Sequence, residues 1–83
     1  MPLFMDVHQS LPEGATADDV AQAHMADVKE QDKHGVRYLN YWADPAAGKV
    51  FCLVEAPSAD AAITVHREAH GLMADEIYPV VQG

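Results

Sequence analysis

The chain has 83 residues, thirteen acidic and five basic, for a formal charge of −8. That length bounds it to one domain, residues 1–83, near the lower limit of what folds alone, so a second copy covering a bare face would add much to its stability. The acidic excess, with no Lys/Arg cluster, argues against nucleic acid or anionic membrane as a partner and favours cations.

Leu3 to His8 is a short extended run with an acid at Asp6, a first strand. Turn chemistry follows at Leu11-Pro12-Glu13-Gly14. Thr16 precedes Asp18 and Asp19, so it can cap a helix whose first turn opposes the dipole with negative charge; the helix should run from Ala17 to Asp32, before His34-Gly35. The aromatic and β-branched run Val36 to Trp42 predicts a second strand, Asp44 to Gly48 a hairpin loop, and Lys49 to Ala56 a third strand. Ser58 caps a second helix to His70, which Gly71 terminates. Glu76 to Val81 is the last strand, and Pro79 argues for an edge position.

This order is β-α-β-β-α-β, the ferredoxin-like α+β plan, in which right-handed crossovers place both helices on one face of a four-stranded antiparallel sheet. Strand alternation puts Val50, Cys52, Val54 and Ala56 under the helices and Phe51, Leu53 and Glu55 on the open face. A short hairpin would bring Leu39 and Tyr41 opposite Phe51 and Leu53, with Phe4, Asp6 and His8 joining from the first strand. A face carrying Phe4, Leu39, Tyr41, Phe51 and Leu53 is too apolar for a monomer, so a homodimer through that face is expected.

Cys52, the lone cysteine, excludes an intrachain disulfide and fits a reducing compartment. Residues 1–6 lack a basic, then long apolar, leader pattern, and no apolar stretch approaches the ~20 residues of a membrane span. We therefore expect a cytoplasmic protein.

The segment His66-Arg67-Glu68-Ala69-His70-Gly71 carries the strongest chemical signal. Histidines four apart share one helix face, Cβ atoms roughly 5–6 Å apart, and can chelate one metal ion. Arg67 stands where the zinc-protease pattern has Glu, so that chemistry is not implied. In the second helix Ala62, Val65, Ala69 and Met73 set the buried stripe, His66 flanks it, and His70 lies near the solvent line. In the first, Ala17, Val20, Ala23 and Val28 set it, with His24 inside and Asp27 following. His66 lies roughly 12 Å along its helix from Ser58, level with Cys52, and His24 lies at the same depth. A polar pocket of His24, Asp27, Asn40, Cys52 and His66 is expected, as a small-molecule or metal site, or as buried histidines satisfied by Asp27, Asn40 or a water. An apolar strand raises a thiol's pKa, which disfavours Cys52 as a nucleophile. His8 ends the first strand, far from His70, so the two should not share an ion within one subunit; it can pair with Asp6 across a bend or with Glu55 at the neighbouring strand end. His34 falls in a loop and should be solvated.

The runs Val36–Trp42, Gly48–Pro57 and Val65–Leu72, with Met5-Asp6-Val7-His8, resemble the small single-domain bacterial nickel-binding proteins first catalogued as a domain of unknown function. The resemblance implies a ferredoxin-like fold, a homodimer, and nickel held at the dimer surface in a sequestering role. Of the family's motif positions His66 and His70 are matched, and His8 closes the Asp-Val-His segment; Asp6 and Glu55 are added as further metal ligands. Imidazole with carboxylate suits Ni2+, and other divalent ions would compete. The alternative is a dimeric ferredoxin-like small enzyme, of monooxygenase or isomerase type, or a small-ligand-binding module, using a pocket between helices and sheet in which His24 and Asp27 could form an acid–base pair.

Overall fold

A computed structural model describes residues 1–83. Its elements run β1 (Leu3–His8), α1 (Ala17–Glu30), a 3-10 turn (Gln31–His34), β2 (Arg37–Asp44), β3 (Lys49–Glu55), α2 (Ala59–Ala69) and β4 (Glu76–Val80). The sheet order is β2-β3-β1-β4 with every pairing antiparallel, the ferredoxin-like arrangement. No helix is long and apolar enough to cross a membrane.

Local chemistry explains the helix ends. Thr16 accepts from the Asp19 backbone at 3.2 Å while the Asp19 carboxylate accepts from the Thr16 backbone at 2.9 Å, a complete capping box. The α-helix stops at Glu30, earlier than Asp32, because the chain tightens into the 3-10 turn and exits through Gly35 at φ +65°. Ser58 caps α2 through the Ala61 backbone. Gly71, at φ +78°, turns its N–H back to the His66 carbonyl at 2.9 Å and ends the helix; Met73 therefore lies beyond α2 and is exposed rather than in its stripe.

The core lies between helices and sheet, where Val20, Val36, Val50, Val54, Ala62 and Val65 pack together with Tyr38 and Cys52. Val50, Cys52 and Val54 alternate with half-buried Phe51 and Leu53 as strand periodicity requires. Two neighbouring strands face otherwise than expected. Asp6 stands opposite Cys52, so Phe4, Asp6 and His8 point to the helices, and Leu3, Met5 and Val7 to the open face. In β2 the register shifts between Tyr38 and Asn40, making Leu39 a bulge residue. One extra residue inverts everything after it: Tyr41 faces the helices opposite Cys52, while Asn40 and Trp42 take the open face opposite Leu53 and Phe51.

Candidate metal centre

His66 projects from the inner face of α2 and is 2% exposed, an unusual place for an ionisable ring. Both of its nitrogens are engaged: Nδ1 lies 2.9 Å from Asp27 Oδ1 on α1, and Nε2 lies 2.9 Å from Asp6 Oδ2 on β1. Carboxylates only accept, so a ring donating to both must carry two protons. Burial alone would lower its pKa, but the two carboxylates more than offset that and push it up to about 9. Its position in the last turn of α2 also favours the cation. Burial would raise Asp6 and Asp27, yet hydrogen bonds from histidines hold both below the usual range: His66 and His8 act on Asp6, His66 and His70 on Asp27.

The arrangement extends at both ends. His70 Nε2 is 3.0 Å from Asp27 Oδ1, and its Nδ1 accepts from the Leu72 backbone N–H at 3.0 Å. His8 Nε2 is 3.4 Å from Asp6 Oδ1. The result is an alternating chain, His8–Asp6–His66–Asp27–His70, assembled from β1, α1 and α2. Tyr38 packs on the His66 ring, centroids 4.6 Å apart, and its hydroxyl lies 3.1 Å from Asp6 Oδ2 and 3.0 Å from the Ala62 carbonyl. Burial, with Asp6 and Asp27 nearby, pushes the Tyr38 hydroxyl up. Burial and Asp6 push the Cys52 thiol up as well, so it resists becoming a thiolate nucleophile or ligand.

Two donor groups meet at His66. Asp6, His8, Cys52 and His66 form one, and Asp27, His66 and His70 the other; within each group the donor atoms lie within 4.8 Å of one another. These residues fit a divalent ion on two counts. Imidazole and carboxylate are the donors that borderline cations such as nickel accept. Asp6 Oδ1 is buried and is met only by His8 Nε2, at 3.4 Å, the long limit of a hydrogen bond. A buried acceptor left open is costly unless something charged or donating meets it.

The expected site residues divide accordingly. His66, His70, His8 and Asp6 lie along one chain of contacts; His8 and His70 each flank His66, ring centroids 5.1 and 5.0 Å away, but belong to different donor groups. That proximity follows from the inward facing of β1. Glu55 does not join them: opposite Leu3 on the open face, it lies 3.6 Å from Arg37. His24, Asp27, Cys52 and His66 line one cavity of about 430 Å³ between helices and sheet, together with His8 and His70. Asn40 is excluded because the bulge turns it outward to solvent. Tyr41 takes that place, its ring 4.8 Å from His24. Asp27 as a partner of both His66 and His70 had a signal, its position on the buried side of the first helix. His34 is not simply solvated; it contacts Glu68 at 2.7 Å, in a surface group with Glu30.

An α+β domain of ferredoxin-like topology, with His, Asp and Cys donors grouped at an inner cavity, is the class this architecture defines. The family of nickel responsive proteins described as SCO4226-like matches residues 4–80, and the chain belongs to that family. The crystal structure of SCO4226 from Streptomyces coelicolor A3(2) is similar over 98% of each chain, with 44% identity and a TM-score of 0.89. No curated protein matched the chain.

Proposed function

We propose that this protein is a cytoplasmic homodimer that binds and sequesters nickel, with Asp27, His66 and His70 as the principal ligands. The observation that carries the reading is the convergence of three donors from two helices on the cavity wall, His70 being 13% exposed there. The nickel-responsive description of the family supports the choice of metal. His8 and Asp6, on the far side of His66, hold the shared ring and offer a second donor group. Binding must strip protons from His66, so uptake should weaken as pH falls below about 9. The dimer is supported by the open sheet face, where Trp42 and Tyr78 are about half exposed beside Met5, Phe51 and Leu53.

Titration of chelator-stripped protein with nickel chloride, followed by calorimetry, tests this. Stoichiometric uptake is expected, weakened at least tenfold in His70→Ala. Uptake with unchanged affinity in that variant would place the ion elsewhere, and no heat at all would remove the metal reading.

A further inference from the structure

The cavity is much larger than a hydrated ion requires. Water occupies about 30 Å³ per molecule, so three waters completing a metal's shell would fill about 90 Å³. The space beside Asp27, His66 and His70 is about 430 Å³, within the range of small-molecule pockets. Its other walls include apolar and aromatic side chains, Leu11, Val20, Ala23, Tyr41 and Leu72, with the His24 ring among them. No lysine or arginine lines it, and Glu13, Asp19 and Asp27 do. A free organic carboxylate would therefore find no cation to meet it, whereas a carboxylate already bound to a divalent ion would bring its own.

We propose that the cavity holds a small organic chelator of the amino-carboxylate class, joined to the protein through the metal, so that the ion is held as a ternary complex. This rests on the nickel reading above. Asp27, His66 and His70 would hold the ion, and the chelator's body would lie against Tyr41, Val20 and Leu72, with the His24 ring within the same cavity. Ala23 on α1 is a wall position where a larger side chain would fill the chelator's space; it lies one turn from Asp27, so nickel retention is measured beside it to show that the ligand still binds.

The test uses radiolabelled L-histidine as the chelator, nickel chloride, and retention on the intact protein after rapid desalting. About one label per chain is expected with nickel present and none without it. Ala23→Leu should keep nickel and lose most of the label, and the retained nickel shows that the variant is folded; Ala23→Val, a smaller change, should lose an intermediate amount. Nickel retained only when L-histidine is supplied would also support the ternary complex. L-Histidine that strips nickel from the protein would overturn it, as would label retained equally by Ala23→Leu or retained without nickel. If nickel is retained neither alone nor with L-histidine, the nickel reading fails and this inference falls with it. Nickel retained alone but never with label overturns only the inference.

Discussion

The two faces of the sheet reverse the usual distribution of polarity. On the helix side lie the buried Asp6, His8, Tyr38, Cys52 and the ring of His66. On the open side Met5, Trp42, Phe51, Leu53 and Tyr78 stand partly or largely exposed. Burying ionised groups costs several kcal/mol per ion and is recovered only where each charge meets opposite charge and hydrogen bonds. The His–Asp alternation supplies that pairing, although a well-packed apolar core would serve stability as well. Retaining it is the expected signature of a site rather than of a scaffold. The open face has the opposite character, apolar surface without cover, as a protein–protein interface does.

The largest effect should come from breaking the chain at its centre. His66→Ala would leave Asp6 and Asp27 buried without the cation they share. A cost of about 3–5 kcal/mol is expected, enough to threaten folding of so small a domain. Urea melts measure it; a loss below about 1 kcal/mol would mean the ring is not charged in the folded protein. On the other face, Leu53→Asp should leave each subunit's core intact but raise the dissociation constant of the proposed dimer at least a hundredfold, about 2.7 kcal/mol. Sedimentation of the parent as a monomer at micromolar concentration would remove the open face as an interface.

The comparison also explains what could be read from the sequence. Element order was legible because caps, turn residues and apolar runs coincide: Thr16, Ser58, the Asp44–Gly48 loop and Gly71 all lie where boundaries fall. Depth along α1, α2 and β3 set His24, Cys52 and His66 level, and helical periodicity put Asp27 on the same side as His24; all four line the cavity, whereas Asn40 does not. The orientation of β1 was not legible. Hydropathy treats Asp6 and His8 as solvent-facing, and only their pairing with His66 permits them inside. Nor does any residue type announce the bulge at Leu39, which exchanges Tyr41 for Asn40 on the cavity wall. Because Tyr38, Leu39, Tyr41 and Trp42 suit a strand equally well on either face, propensity could not choose between them.

Acidity should separate the chain from the metal it is proposed to hold. His66 has a raised pKa in the folded protein, so its ion pairs stabilise the metal-free fold fully below about 6.5 and that contribution disappears as pH rises through about 9. Asp6 and Asp27 are depressed, so their contribution is present above about 3.8 and is lost as pH falls through their lower folded values. The metal-free protein should therefore lose thermal stability from pH 6.5 to 9, while nickel affinity rises over the same interval. Melts and nickel titrations at matched pH values measure the two slopes. Slopes of the same sign would show that nickel does not compete with the His66 protons.

The smallest effect is expected at the surface group of Glu30, His34 and Glu68, which has the residue types of a metal site but not its surroundings. His34 lies 2.7 Å from Glu68, whose side chain is 46% exposed, and Lys33 already sits 2.9 Å from Glu30. Glu30 Oε2 is buried like Asp6 Oδ1, but the Lys33 ammonium already pairs with it, and Glu68 is open to solvent, so the group has cations and water where the inner chain has only histidines. An exposed pair of this kind contributes about 0–1 kcal/mol. His34→Ala should therefore change the fold by no more than about that amount and leave nickel affinity within twofold of the parent. Measured beside His70→Ala, it compares an inner imidazole with an outer one on the same protein. A tenfold loss of nickel affinity in His34→Ala, with His70→Ala unaffected, would move the metal to the surface and leave the inner chain as structure alone.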